Sequence, residues 1–152
     1  MLNDFVHNSL RYATGDGYDG PTLLRNDLYS SGKPVKLGDF IDANAGVCRE
    51  YAACMHVALA NTGKSNYMVV GDIEKMAVQG QINEGGRHAW VEYIDTKTGQ
   101  WMVADPTNGF VTTRDKAYTF NYGGVKDNVE RQVFVWPKGV GFWDRIFKKI
   151  RP

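Results

Sequence analysis

The chain has 152 residues, of which 43% are hydrophobic and 23% charged, as in one globular domain, which excludes a disordered or collagen-like protein. Eighteen basic and 17 acidic residues give a formal net charge of +1, which is too balanced for a dedicated nucleic-acid binder. No apolar run approaches the roughly 18 residues of a membrane-spanning helix, and the first ten residues lack the pattern of a signal peptide. We therefore expect a single domain over residues 1–152. Its expected location is the cytoplasm, or a secreted protein if the domain is excised from a longer chain.

The N-terminal part of the sequence predicts helices. An apolar stripe predicts the first helix over residues 3–13. Pro21 occupies a good first helical position and predicts a short second helix that stops near Gly32. The glycine-containing stretches GDGYDGP and SGKPVKLGD predict loops before and after this second helix.

Residues 46–61 have the clearest helical pattern. Gly63 follows where a C-terminal cap belongs, and the charged Arg49 and Glu50 are expected on a solvated face. Apolar residues repeat at helical spacing: Val47, Tyr51, Met55, Ala58 and Leu59.

The spacing of the hydrophobic residues changes after this helix. Residues rich in β-formers predict strands over 67–73, 88–94, 100–105 and 131–136. The polar, glycine-rich residues 76–86 predict a surface loop. Helices followed by strands predict the α+β class with an antiparallel sheet.

The C-terminal segment is basic and amphipathic. Residues 138–152 carry five basic side chains and one acidic one, and residues 141–150 predict a terminal helix. Such a helix packs on its own sheet or docks on a membrane or a partner. Its apolar side holds Phe142, Trp143, Ile146, Phe147 and Ile150.

The two cysteines differ in their predicted surroundings. Six residues apart on one helix, Cys48 and Cys54 stand about 9 Å apart along the axis and cannot form a strain-free disulfide. Unpaired thiols indicate a reducing compartment or a catalytic thiol. Cys48 lies at the helix start, where free N–H groups and the helix dipole stabilise a thiolate. Cys54 is expected to be a small buried core residue.

His88 and Asp105 lie on two predicted strands that a DTKTG turn joins. A two-residue loop places them directly opposite each other, and a four-residue loop over 96–99 still leaves both on one face of the sheet. Loops of three or five residues place them on opposite faces. Glu92 is expected to be a solvated carboxylate at a strand end.

The sequence gives no sign of a metal site. The three histidines and two cysteines lack zinc-ligand spacing, and no EF-hand-like run of aspartates occurs. Asp16 and Asp19 in GDGYDG are expected to form turns.

A cysteine at a helix start, followed by a histidine and an aspartate on neighbouring strands, supplies a nucleophile, a base and an orienting group. The chain contains these residues in the motifs GVCREYA, HAWVEY and W-x-x-x-DPT, in that order. With them the chain resembles the transglutaminase-like superfamily over about residues 3–115. The resemblance implies a papain-like core in which the nucleophile helix packs on the sheet. It implies that Cys48 is the nucleophile, His88 the general base and acid, and Asp105 the orienting carboxylate. Residues 116–152, with the last strand and the basic helix, lie outside it.

The resemblance also implies an activity. Members of the superfamily act on protein or peptide amides through a thioester, and the outcome is transamidation, deamidation or peptide-bond hydrolysis, with no separate cofactor. Tyr12 and the backbone N–H of Cys48 are candidates for binding the oxyanion. Trp90 and Trp101 are candidates either for the pocket wall or for the core beneath it. The alternatives are a catalytically inactive binding or structural module, and an excised toxin or effector domain.

Overall fold

Helices come first and strands later in the computed structural model, which describes residues 2–14, 19–78, 81–120 and 132–135. This order confirms the predicted α+β class. The helices are α1 (Leu2–Asn8), α2 (Gly20–Ser30), α3 (Leu37–Ala43), α4 (Cys48–Asn61) and α5 (Arg114–Phe120). The strands are β1 (Asn66–Val78), β2 (Gln81–Ile94), β3 (Trp101–Asp105), β4 (Phe110–Thr113) and β5 (Gln132–Val135).

The five strands form one antiparallel sheet in the order β4-β3-β2-β1-β5. The strands predicted over 67–73, 88–94 and 100–105 correspond to β1, β2 and β3, and β5 covers the described part of the segment predicted over 131–136, which confirms those predictions. The prediction of a surface loop over residues 76–86 is wrong, because β1 and β2 remain paired as far as Val78 and Gln81. Backbone hydrogen bonds hold an antiparallel ladder whatever its side chains are, so a polar, glycine-rich stretch can extend a hairpin.

Helix α4 packs on one face of the sheet, as expected, and α5 contributes to the core on the other face. Each fully buried aliphatic or aromatic side chain in these layers contributes roughly 1.5–3 kcal/mol. The first core contains Tyr51, Ala52, Met55 and Leu59 of α4 with Ala89, Val91 and Ala104 of the sheet. The second core contains Val69, Ile73, Trp90, Val103 and Ala117.

The first helix is shorter than predicted, since it ends at Asn8 rather than at residue 13. Tyr12 instead forms a parallel bridge with Gly46. The Gly46 N–H donates to the Arg11 carbonyl over 3.0 Å, and the Ala13 N–H donates to the Gly46 carbonyl over 2.8 Å. These bonds replace the last helical turns and bring Tyr12 beside the start of α4.

Gly46 lies in a crowded place. A Cβ atom at this position would lie 3.0 Å from Glu50 Cβ and 3.3 Å from a methyl group of Leu10. The helix that the sequence predicts from residue 46 starts two residues later in the structure, at Cys48. At its other end Gly63 has a positive φ of 76°, as a glycine following a helix often does.

Helix α2 starts and stops where the sequence predicts, and α3 was not predicted. Asp19 caps α2 by accepting from the Thr22 N–H over 3.2 Å, and the chain leaves the helix before Gly32, whose φ is 66°. The last residues of the predicted loop SGKPVKLGD begin α3. There the Lys36 N–H donates to the Asp39 carboxylate over 2.8 Å, which fixes the helix start.

The elements after Asp105 were predicted only in part. Strand β4 has four residues and α5 has seven, so neither is long enough to show a clear hydrophobic period. The predicted basic helix over residues 141–150 lies outside the described residues. Among the described helices, none is long and apolar enough to cross a membrane.

Candidate active site

Cys48 is the first residue of α4, and its side chain is partly exposed. The free backbone N–H groups of the first helical turn and the positive end of the helix dipole lie at this place. Cys54 differs, because burial, followed by the charge of Glu50, raises the pKa of its thiol to about 12. Both thiols are free, and their surroundings make Cys48 the better nucleophile.

His88 on β2 and Asp105 at the end of β3 are hydrogen-bonded to each other. Strand pairing runs from Val91 with Ala104 to Ile94 with Trp101, which corresponds to the four-residue loop. In this register both side chains point to one face, and His88 Nε2 lies 2.7 Å from Asp105 Oδ2. Both side chains are fully buried.

The turn after β3 holds the Asp105 carboxylate in one orientation. Oδ1 accepts from the N–H groups of Thr107 over 3.0 Å and of Asn108 over 3.2 Å. Oδ2 accepts from the Asn108 side-chain amide over 2.6 Å as well as from His88. Sequence reasoning missed Asn108, although an aspartate followed by a proline-containing turn is a common place for such bonds.

The charge state of His88 depends on its neighbours. Burial alone would lower its pKa, but the charge and hydrogen bond of Asp105, together with the hydrogen bond and charge of Cys48, raise it to about 9. The imidazole is therefore protonated near neutral pH. Because Asp105 holds Nε2, Nδ1 is the nitrogen that can serve the Cys48 sulfur. The side chains of Cys48, His88 and Asp105 therefore form one hydrogen-bonded group.

This pKa gives the protein a pH-dependent stability. His88 titrates at about 9 in the folded protein, above the 6.5 of an unperturbed histidine, so its contribution is fully present below 6.5 and is lost as pH rises through 9. We expect the stability difference between wild type and His88→Gln to shrink over that range. Urea unfolding of both proteins at several pH values from 6 to 10 measures it. A difference that is constant over this range would contradict the assignment.

Tyr12 lies close to the pair, although its predicted position at a helix end is wrong. Burial, followed by the negative charges of Cys48, Asp105 and Glu50, raises its pKa to about 12. Its hydroxyl is therefore neutral at ordinary pH and available to donate a hydrogen bond. The charges that act on it show that Tyr12 lies near Cys48 and Asp105.

The two tryptophans occupy different places. Trp90 is buried, and its ring lies nearly parallel to the His88 ring, with 6.3 Å between the centroids. Trp101 packs against the Tyr67 ring at 5.7 Å and under the Arg114 guanidinium at 5.6 Å. Trp90 thus adjoins the candidate site, whereas the contacts of Trp101 belong to the packing of the sheet.

The prediction that Glu92 is a solvated carboxylate is wrong. Its side chain is 2% exposed. Oε1 accepts from the Trp90 indole N–H over 3.0 Å, and Oε2 pairs with Arg114 Nε over 3.3 Å. These two partners compensate for the burial of the carboxylate.

Glu50 is also buried rather than solvated, with a side chain only 3% exposed, whereas that of Arg49 is 58% exposed. Its carboxylate accepts from the Val47 N–H over 2.8 Å, from the Tyr29 hydroxyl over 3.1 Å and from both Arg25 and Arg49. Burial would raise the pKa of Glu50, but the Val47 N–H and the two guanidinium groups lower it overall. A glutamate three residues after the cap is the sequence signal that could have revealed this role.

Replacing Glu50 with glutamine is expected to lower the free energy of unfolding by about 1–3 kcal/mol, because it leaves two cations without their shared partner. Asp27→Asn on the exposed side of α2 removes the same charge and is expected to have little effect. Urea unfolding of the two variants and wild type measures this. Equal stability of the two variants would contradict the conclusion that the contacts of the Glu50 carboxylate stabilise the fold.

The other two histidines serve structural contacts. His7 Nδ1 donates to the Pro106 carbonyl over 2.6 Å and so ties α1 to the turn after Asp105. His56 is buried and hydrogen-bonded to the Asn66 side chain. Within the ranges that the structure describes, no cluster of three or more His, Cys, Asp or Glu side chains could hold a metal ion.

Comparison with known proteins gives a family match. The model of the transglutaminase-like superfamily matches residues 2–106, a span that includes Cys48, His88 and Asp105. Among solved structures, calcium-bound LapG of Legionella pneumophila aligns with 99% of this chain and 79% of its own, at 11% identity and a TM-score of 0.44. No curated protein matches the chain.

Proposed function

Because the chain belongs to the transglutaminase-like superfamily, we propose that it is a cysteine-dependent enzyme that transfers acyl groups from protein or peptide amides through a thioester on Cys48. One observation carries the proposal. The thiol at the start of α4 interacts with an imidazole whose Nε2 is held by the buried Asp105. This is the arrangement that activates a cysteine nucleophile.

In the first step, the Cys48 thiolate attacks the amide carbonyl carbon. A C–S bond forms, and the carbonyl electron pair moves to the oxygen. The backbone N–H of Cys48 and the hydroxyl of Tyr12 donate hydrogen bonds to this oxyanion. Asp105 stabilises the positive charge on His88 while the negative charge leaves the sulfur.

In the second step, the C–N bond breaks and the carbonyl forms again. His88 gives its Nδ1 proton to the departing amine or ammonia, and the acyl group remains as a thioester on Cys48. His88 is now neutral and takes a proton from an incoming amine or water, which attacks the thioester and releases the thiolate.

The incoming nucleophile decides the product. A primary amine gives transamidation of a glutamine side chain. Water gives deamidation when the bond that broke belonged to a side-chain amide, and chain cleavage when it belonged to a peptide bond. All three reactions use the same acyl-enzyme and need no cofactor.

Mass spectrometry of a glutamine-rich, unfolded protein incubated with the enzyme, with and without a primary amine, separates these reactions. Each product is a fate of one acyl-enzyme: cross-linking loses about 17 Da per bond, deamidation adds about 1 Da, and hydrolysis cuts the chain. Cys48→Ala is the control. The inactive-module alternative is supported if no product forms and iodoacetamide labels Cys48 no faster than an ordinary thiol.

A further inference from the structure

We propose that Trp90 is a positioning residue that sets the orientation of the His88 imidazole, and that Glu92 and Arg114 hold Trp90 in place. This inference rests on the proposed function, because it assumes that His88 exchanges protons with Cys48.

The contact between the two rings is the starting point. His88 and Trp90 are alternate residues of β2, and their side chains are 1% and 2% exposed. Their ring planes are inclined by only 22°. The indole therefore lies beside the imidazole, with its plane nearly parallel, and limits how far that ring can turn.

Asp105 alone does not fix the imidazole. Its hydrogen bond holds Nε2, at the far end of the ring, while rotation about the bond from Cβ to Cγ still carries Nδ1 through an arc. A flat side chain packed against the ring restricts that rotation. With both constraints, Nδ1 points in a single direction. Proton exchange with the Cys48 sulfur requires such a fixed direction.

The indole is itself fixed by its neighbours. On one side, Gly71 of β1 lies so close that a Cβ there would be 2.8 Å from Trp90 Cη2. On the other side, the indole N–H donates to Glu92, whose second oxygen pairs with Arg114. An ion pair whose arginine is partly exposed is a weak source of stability compared with apolar packing. Its value here is that it gives the indole one orientation.

The test uses the rate of Cys48 alkylation by iodoacetamide as a function of pH, because this rate reports the thiolate–imidazolium pair without any substrate. Trp90→Phe removes the indole N–H and part of the flat surface, and Gly71→Ala pushes the indole from its other side. In both variants we expect alkylation at pH 6 to slow by about tenfold and the profile to move toward that of an ordinary thiol.

Ile73→Ala is the matched control, because Ile73 belongs to the same buried cluster as Trp90. It is expected to lower the thermal midpoint and to leave the alkylation profile unchanged. Circular dichroism establishes that each variant is folded.

The outcomes separate this inference from the proposed function. An unchanged profile in folded Trp90→Phe and Gly71→Ala would overturn the positioning role and leave the proposed function intact. A profile that moves equally in Ile73→Ala would also overturn it, since general loosening of the core would then be the cause. A wild-type profile like that of an ordinary thiol would overturn the proposed function and the inference with it.

Discussion

Replacement of Cys48 by alanine is expected to lower turnover by at least about a thousandfold, since no other group can form the thioester. The fold should survive, because Cys48 is partly exposed at the start of α4 and alanine is a good helix former. Initial rates of product formation by mass spectrometry measure the loss. Circular dichroism and thermal unfolding check the structure of the variant.

Cys54→Ala is the matched control for this prediction. Cys54 is 7% exposed and lines an apolar cavity of about 210 Å³ with Val57 and Ala58. Its replacement should preserve turnover and lower the free energy of unfolding by about 1 kcal/mol. Equal losses of turnover in the two variants would refute the assignment of the nucleophile.

Asp105→Asn is expected to lower kcat/KM by roughly 10²- to 10⁴-fold. An asparagine amide that donates to His88 Nε2 leaves that nitrogen without a proton, so the imidazole is held as the neutral Nδ1–H tautomer instead of the imidazolium that accompanies the Cys48 thiolate. The substitution also removes the negative charge that raises the pKa of His88, so the imidazolium form is lost at lower pH. Rates measured from pH 5 to pH 10 should show a lower maximum. The fall in rate on the basic side of the profile should begin at a lower pH than in wild type.

Asp95→Asn controls for the loss of one negative charge. Asp95 lies in the turn of the same hairpin, where its carboxylate accepts from Lys97 and Thr98. It should keep a wild-type rate. A folded Asp105→Asn protein with a wild-type rate would show that the carboxylate does not orient His88.

Much of this architecture follows from local patterns in the sequence. The apolar repeat around Tyr51 and Met55 predicts α4, and runs of β-formers predict the strands. For a hairpin loop of even length, the alternation of side chains along a strand predicts that His88 and Asp105 share a face, and the four-residue loop has that parity. These inferences succeed because each depends on residues close together in the chain.

Apart from the hairpin over residues 76–86, the errors concern contacts between residues far apart in the sequence. Glu50 and Glu92 are charged, and a charged residue is normally solvated. Their burial depends on Arg25 and Arg114, which are 25 and 22 residues away in the sequence. Tyr12 likewise leaves the predicted helix because its strand-like segment pairs with a distant glycine. For Glu50 only the capping contact with Val47 has a local signal, and for Glu92 and Tyr12 nothing in the neighbouring residues indicates the partner.

The parallel bridge between Tyr12 and Gly46 has a consequence for folding kinetics. A parallel contact cannot be closed by a tight turn, and here the whole of α2 and α3 lies between its two sides. Helix α4 can gain helical structure early, from local interactions, whereas this bridge forms only after the intervening chain has been arranged. During refolding, catalytic competence is therefore expected to return later than helical content, which makes activity the stricter measure of the native state.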